Sequence, residues 1–257
     1  MRRPLIILFL LLIAIPSKAQ HLNHDVGLFV GIAVPQTDYH QAKDPLSKFS
    51  NTGKSISLTH YLQFYNKSTR WNADGFFTNH IMLKSELNFV SKPKLRNSGK
   101  YTEGNGNLAQ ILRAMKGSFS VISLGIQAEY YFKDLKEYMH PYSYMKWNPY
   151  VTFGFQYAMY NNTLTSDLGD WTNDPMILPS IFNNPNDLAI GSGGIATVVF
   201  GGGVRYKLSK SIDLAGNFIC QHFLSDAVDG LQSSSPKNKN NDYFAHAQIG
   251  IIYHLKL

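Results

Sequence analysis

The side chains with the clearest potential for chemistry are those of His222, Ser225 and Asp226, which follow one another closely in the sequence. A histidine beside a hydroxyl and a carboxylate is the set that a hydrolytic or acyl-transferring enzyme uses, because the imidazole accepts the proton of the nucleophile. Side chains alternate faces along a strand, so His222 and Ser225 point to opposite faces if the strand continues between them. A lipid-modifying enzyme is therefore kept only as an alternative.

Other ligand-binding patterns fail on their spacing. The histidines near the start of the chain lack close metal-ligand spacing, and the aspartates between residues 167 and 187 lack the alternating order of a calcium loop. The glycine-rich stretch 191–203 leads into a β-branched run where a nucleotide-binding fingerprint needs a helix. We expect no metal site, no cofactor, no catalytic residue and no enzymatic activity.

Eight segments of the chain alternate apolar and polar residues, as strands do. They cover residues 26–34, 55–65, 80–90, 119–132, 149–160, 197–208, 212–224 and 242–257. Each has about the length that a tilted strand needs to cross a bilayer, roughly 9 to 11 residues, whereas strands of soluble domains centre near 5 or 6. The pattern predicts an all-β fold, namely an eight-stranded antiparallel transmembrane β-barrel with long extracellular loops.

The third segment illustrates how the two faces of a strand are assigned. It places Ile81, Leu83, Leu87 and Phe89 on one face and Lys84, Glu86 and Asn88 on the other. A soluble sandwich would alternate in the same way, but tyrosine and phenylalanine at the segment ends and the regular alternation of long and short connections favour a membrane barrel. We therefore expect the apolar face to contact lipid and the polar face to line the interior.

Charged residues on the inward faces must find partners, since an isolated buried charge costs several kcal/mol. The alternation turns a small set of such residues inward. We predict that they form an interior ion and hydrogen-bond network, which consists of Lys84, Glu86, Glu129, Arg205 and Asp213.

The start of the chain has the layout of a secretory signal peptide over residues 1–19: arginines at positions 2 and 3, an apolar run over 5–15 and small residues after it. Export by the general secretory route would leave residues 20–257 as one outer-membrane barrel domain. Removing residues 1–19 leaves 21 basic and 17 acidic side chains, a net charge of +4 that is spread along the chain. This small excess argues against nucleic acid as a partner.

Two connections carry aromatic and basic residues that could face a partner protein. Apolar residues at helical spacing between Leu108 and Met115, after a candidate cap at Asn107, predict a helix in the second outer loop that could cover the barrel mouth or dock a partner. An aromatic and basic stretch precedes the fifth strand, and it could serve equally as a partner surface or as an anchor at the membrane interface. The candidate partner surface consists of Arg113, Lys116, Tyr138, Tyr142, Tyr144 and Trp147.

The last third of the chain carries recognisable strand-edge and loop motifs. GVRYKLSKSIDLAGNFICQHFLSDAVDGL at 203–231 and NNDYF at 240–244 precede a closing strand. This arrangement resembles the small outer-membrane β-barrel proteins of Bacteroidota, among them the barrel subunit associated with the type IX secretion machinery and its uncharacterised relatives. The shared features are a Ser-Asp and Asp-Gly loop, here Ser225 to Gly230, and an Asn-Asp-aromatic start to the last strand, whereas His222 and Ala227 replace expected aromatics.

The resemblance implies an outer-membrane barrel and a role connected with secretion. Its motifs carry no chemistry. We therefore expect a scaffold or accessory subunit whose partners are outer-membrane lipid and periplasmic or secretion-complex proteins. A narrow pore and a lipid-modifying enzyme are the alternatives.

Overall fold

A computed structural model describes residues 22–36, 51–64, 75–97, 100–182, 188–225, 228–231 and 242–255. Eight antiparallel strands form a closed barrel in sequence order. The strands are β1 (Asn23–Gln36), β2 (Gly53–Gln63), β3 (Ile81–Arg96), β4 (Met115–Tyr131), β5 (Trp147–Ser166), β6 (Gly191–Lys207), β7 (Ile212–Phe223) and β8 (Tyr243–His254). The eight predicted strands and the closed barrel are confirmed, while the predicted signal peptide lies outside the described residues.

Three short α-helices lie in the connections: α1 (Phe76–His80), α2 (Asn107–Ala114) and α3 (Leu135–Met139). Single turns of 3-10 helix occupy Lys100–Thr102, Pro175–Ile177 and Ser180–Phe182. Among the described helices, none has the length and apolar character needed to cross a bilayer.

Closure of the barrel follows from pairing between the first and last strands. Leu28 on β1 is opposite Ile251 on β8, and this ladder leaves no free sheet edge along the paired residues. A row of cross-strand partners that starts at Met159 on β5 and is followed around the barrel returns to the same strand at Pro149. An offset of this size around eight strands corresponds to a strand tilt of roughly 40°.

The outer surface of the barrel is apolar. Large side chains that would be buried in a water-soluble protein are exposed here, including Leu28 (53%), Phe155 (63%) and Ile251 (55%). As the alternation predicts, Leu87 and Phe89 face outward on β3, whereas Lys84 and Glu86 are buried. The surrounding solvent of this belt must therefore be lipid.

The strands extend farther at one end than the sequence pattern predicts. β4 begins at Met115, whereas its segment was expected to begin at 119. β5 continues to Ser166, whereas its segment was expected to end at 160. In these extensions the two faces exchange character: Met115 and Leu164 are buried, and Ser118 on the opposite face to Met115 is partly exposed. The apolar inward side chains there pack against loops instead of facing outward to lipid.

We call the end with the β1–β2, β3–β4, β5–β6 and β7–β8 connections the outer end, and the opposite end the inner end. The long connections predict that the outer end is extracellular and the inner end periplasmic. The interior has three layers. An apolar cluster at the outer end includes Leu95, Phe119 and Phe244, a second at the inner end includes Phe29 and Tyr61, and polar side chains fill the space between them.

Candidate functional site

The charged residues predicted to fill the interior lie at and just above the inner end, where they form ion pairs. Lys84 Nζ is 3.4 Å from Glu86 Oε2 and 3.4 Å from Glu129 Oε1. Arg205 Nη2 is 3.7 Å from Glu129 Oε2, so one carboxylate joins two cations from β3 and β6. All four side chains are at most 4% exposed. Asp213 joins this group only through residues that the sequence analysis did not select.

Those additional residues are Asp25 and His254, at the start of β1 and the end of β8. His254 Nδ1 is 2.9 Å from Asp25 Oδ1, and its Nε2 is 3.2 Å from Asp213 Oδ1. Asp25 Oδ2 is in turn 3.3 Å from Arg205 Nη1. We call the following seven residues the interior cluster: Asp25, Lys84, Glu86, Glu129, Arg205, Asp213 and His254.

Aromatic rings complete the surroundings of the Arg205 side chain. Its guanidinium carbon is 4.2 Å from the ring centre of Tyr61 and 5.2 Å from that of Tyr131. The Tyr131 hydroxyl donates a 2.6 Å hydrogen bond to Glu129 Oε2. These contacts stabilise a buried cation by cation–π attraction and orient the carboxylate that it faces. The alternation of β1 already turned Asp25 inward, so the sequence contained a signal for that residue.

A lattice of amides and hydroxyls fills the barrel next to the interior cluster. Gln127 Nε2 donates a hydrogen bond to Glu86, and Gln221 Nε2 donates one of 2.9 Å to Ser123 Oγ. Gln248 Nε2 donates to Ser57 Oγ at 2.8 Å. The cavity that remains beside these groups measures about 10 Å³, which is room for about one water molecule. At this level of the barrel, side chains therefore leave space for little more than one water molecule.

The inner mouth is closed by α3. Leu135 and Tyr138, three residues apart on this helix, are both 0% exposed. Asp134 caps the helix, since its Oδ1 accepts a 2.9 Å hydrogen bond from the Glu137 N–H. Lys207 Nζ donates a hydrogen bond to the Tyr138 carbonyl. The prediction that Tyr138 belongs to a partner surface is wrong, because the helix turns this side chain into the barrel.

Burial also sets the protonation of this tyrosine. Removal from water raises the pKa of the Tyr138 phenol well above its ordinary value, and the nearby Asp213 carboxylate raises that pKa further. The phenol therefore stays neutral even at alkaline pH values where an exposed tyrosine begins to ionise.

The other aromatic residues of the inner connections remain exposed. Tyr144 is 100% exposed, Tyr142 77% and Trp147 52%, and α1 adds Phe76 and Phe77 at 61% and 71%. Lys133 Nζ lies 3.7 Å from the ring centre of Trp147, and Lys210 Nζ lies 5.0 Å from that of Tyr142. We call Phe76, Phe77, Tyr142, Tyr144 and Trp147 the periplasmic aromatic surface.

Arg113 and Lys116 lie at the outer end, so the candidate partner residues do not form one surface. Arg113 Nη1 donates hydrogen bonds to the carbonyls of Thr102 at 2.7 Å and Gly104 at 2.8 Å. Lys116 Nζ forms an ion pair with Asp167, with a 2.5 Å contact. Helix α2 is present, but Gly106 caps it instead of Asn107, and Met115 is already part of β4.

The outer mouth is closed by the β5–β6 and β7–β8 connections. Leu178 and Phe182 from the first of these and Val228 and Leu231 from the second belong to the buried outer cluster. Asn162 ties these parts together: its Nδ2 donates to the carbonyls of Ala189 at 3.1 Å and Val228 at 3.3 Å, and its Oδ1 accepts from the Gly191 N–H at 2.9 Å. Helix α2 contributes no residue to this cluster, although covering the barrel mouth was one of the two roles expected of it.

The enzyme alternative finds no assembled site in the described chain. His222 lies on the outward face of β7, where it pairs with Val198 and Tyr243. No hydrogen bond joins it to Ser225 within the residues that the structure describes, and Asp226 lies outside them. Among the described residues, no group of three or more His, Cys, Asp or Glu is arranged to hold a metal ion.

The closed barrel and its apolar belt identify the kind of membrane protein. Antiparallel strands that satisfy their backbone hydrogen bonds by closure, with lipid-facing side chains outside and polar ones inside, form the architecture of outer-membrane barrels. This chain is an eight-stranded barrel of the cell outer membrane.

No protein-family model and no curated protein matches the sequence. Solved structures of outer-membrane proteins are similar to it. A major outer membrane protein from Thermus thermophilus is 10% identical over 91% of this chain and 99% of that chain, with a TM-score of 0.48. Ail, the attachment invasion locus protein of Yersinia pestis, solved with the heparin analogue sucrose octasulfate, is 9% identical over 91% and 99%, with a TM-score of 0.45.

Neisserial surface protein A is also 9% identical, over 90% of this chain and 97% of that chain, with a TM-score of 0.46. These likenesses concern the barrel alone, and no ligand or activity of those proteins extends to this chain.

Proposed function

We propose that this chain is a non-enzymatic scaffold or accessory subunit of the outer membrane, which binds a periplasmic protein through the periplasmic aromatic surface. The observation that carries the proposal is the closure of the lumen at both ends, by α3 at the inner end and by the two long connections at the outer end. A filled barrel offers no room for a substrate or a solute path. Its function is therefore expected on its two ends.

The periplasmic aromatic surface has the composition of a binding site. Tyrosine and tryptophan contribute most to binding energy at protein interfaces, because they bury a large area at a small cost in conformational entropy. Tyr144 is fully exposed, yet its connection is ordered by hydrogen bonds from Ser143 N–H to the His140 carbonyl and from Met145 N–H to Ser143 Oγ. An ordered, exposed aromatic residue loses little freedom on binding.

The resemblance to a barrel subunit of the type IX machinery suggests the first partner to test. A secretion-complex protein on the periplasmic side would meet the inner end of the barrel. We propose this role as the specific form of the scaffold function, within an outer membrane of Bacteroidota.

The scaffold function is tested with two matched tyrosine variants at opposite ends of the barrel. Tyr144→Ser removes the fully exposed inner tyrosine, and Tyr101→Ser removes a 65% exposed outer one. After cross-linking in intact cells and detergent extraction, Tyr144→Ser should recover at least about tenfold less periplasmic partner than the wild type, as expected for a hot-spot residue. Tyr101→Ser should recover as much as the wild type.

The proposal fails if both variants retain the partner equally, or if the wild type recovers none. Unchanged species of lipid A in a Ser225→Ala strain would support the absence of lipid-modifying activity, whereas altered species would contradict it.

A further inference from the structure

The apolar belt ends at one row of side chains on four consecutive strands. Ile56, Phe89, Ile122 and Met159 are cross-strand partners in this order from β2 to β5, and each is at least 40% exposed. The next outward-facing row toward the outer end consists of Lys54, Ser91, Ser120 and Asn161. The surface therefore changes from apolar to polar within two residues on each of these strands.

The polar surface continues beyond that row. Ser118 and Thr163 are cross-strand partners whose hydroxyl oxygens are 2.7 Å apart, and Arg96 on β3 is directly opposite Lys116 on β4. Lys94 is also exposed. We call this surface the outer polar face, which consists of Lys54, Ser91, Lys94, Arg96, Lys116, Ser118, Ser120, Asn161 and Thr163.

Arg96 and Lys116 place two positive charges directly opposite each other, and Asp167 balances only that of Lys116. Like charges directly opposite each other on neighbouring strands repel and destabilise the pair. Lys116 forms an ion pair with Asp167. Within the described part of the chain, no hydrogen bond or ion pair engages the side chains of Lys54, Lys94 or Arg96. The backbone of Arg96 is held on both sides by Asn51, which accepts from its N–H at 3.1 Å and donates to its carbonyl at 2.9 Å.

Among the strand residues that the structure describes, the outer polar face occupies one side of the barrel. The outward-facing residues of β6, β7, β8 and β1, which include Val198, His222, Ala245 and Val34, contain no lysine or arginine. Hydration or solubility would be served by charges around the whole rim. On the described strands the cations and hydroxyls are grouped on one side, as a site for a particular ligand would be.

We propose that the outer polar face binds a phosphorylated, sugar-bearing lipid of the outer leaflet. Its acyl chains would lie on Phe89 and Ile122, its phosphate groups against Lys54, Lys94 and Arg96, and its sugar hydroxyls against the serines. An arginine guanidinium binds phosphate through paired hydrogen bonds, and lysine adds charge.

The extent of the face selects the size of the headgroup. From Ser120 to Lys116 the strand advances roughly 13 Å at about 3.3 Å per residue, which is about 10 Å along the membrane normal at a tilt of roughly 40°. An ordinary headgroup layer is only about 5 to 8 Å thick on each side of a bilayer. The face thus matches a lipid with a larger, sugar-bearing headgroup. This inference uses only the outer surface and is independent of the periplasmic docking function.

The test measures binding of bis-phosphorylated lipid A to the folded full-length barrel in uncharged detergent, with fully dephosphorylated lipid A and soluble heparin as the other probes. The triple variant Lys54→Gln, Lys94→Gln, Arg96→Gln should bind the phosphorylated lipid at least about tenfold more weakly than the wild type. The control triple variant Lys136→Gln, Lys146→Gln, Lys210→Gln removes the same charge at the inner end and should bind as the wild type does. Binding by the wild type should also weaken from about 0.05 to 0.5 M NaCl, because salt screens exposed charges.

A shift in gel mobility between boiled and unboiled samples reports folding of each variant. If the triple variant does not fold, the double variant Lys54→Gln, Lys94→Gln replaces it, since both side chains are exposed. Equal binding by the two triple variants, or equal binding of the dephosphorylated lipid, overturns the proposal. Heparin that displaces the lipid at equal concentration overturns it too, because the face would then bind a soluble polyanion.

Discussion

Glu129 is the residue on which the interior cluster depends most, because it faces both Lys84 and Arg205. Replacing it with leucine leaves two buried cations with fewer partners, and breaking a buried ion pair costs about 3 to 5 kcal/mol. Glu129→Leu should therefore lower the midpoint of urea unfolding in lipid vesicles, read from the gel mobility of the folded barrel. Glu103→Leu, at an exposed position in the β3–β4 connection, should leave that midpoint unchanged. Equal midpoints for Glu129→Leu and the wild type would mean that the cluster contributes little.

Alternation along the strands predicts which residues of the interior cluster face inward, but not which of them contact each other. Period-two patterning turned Lys84, Glu86 and Glu129 inward, and the structure places them together. Alternation does not specify which strands meet across the lumen. The contacts of Asp25 and His254 depend on the pairing of β1 with β8, and no local pattern encodes that distance.

At the scale of elements, Asn162 connects β5 with both connections that close the outer mouth. Asn162→Ala removes the hydrogen bonds to Ala189, Gly191 and Val228 and leaves the carbonyls of Ala189 and Val228, the latter buried, with fewer donors. Each buried group left unsatisfied costs about 1 to 3 kcal/mol. Limited proteolysis of intact vesicles should therefore cleave the β5–β6 connection faster in Asn162→Ala.

The neighbouring Asn161 faces outward and is exposed, so Asn161→Ala is the matched control. It should be cleaved at the rate of the wild type. The same rate for both variants would show that the outer plug is held by its apolar packing alone.

The elements themselves were predicted best where the membrane dictates the pattern. Beyond the row at Phe89 and Ile122 the apolar side chains change to the inward face. The predicted segments therefore stop short of the outer ends of the strands. The end of α2 was expected one residue too late, since Met115 continues the apolar helical spacing but belongs to a strand. For α3, Leu135 and Tyr138 at i and i+3 were an available signal of an inward helix face.

For the whole molecule, the three filled layers predict that the barrel does not conduct ions. The wild type in planar bilayers should show no single-channel steps. The double variant Leu135→Ala, Tyr138→Ala removes side chains from the inner plug and should remain silent, because the polar lattice and the outer cluster still fill the lumen. A water-filled barrel measured in the same bilayers provides the positive control. Steps in the wild type that scale with salt concentration would contradict a closed lumen.

The location of the ion pairs has a consequence for how the cylinder assembles. Asp25 comes from the first strand, and its charged neighbours Arg205 and His254 come from the sixth and the last. A chain that has inserted only its early hairpins cannot neutralise that carboxylate by these contacts, whatever its local geometry. Pairing of the final strand thus completes the hydrogen bonds of the barrel and balances the Asp25 charge in one event. Partly assembled intermediates are therefore less stable than the finished barrel, and the last steps of assembly are favourable.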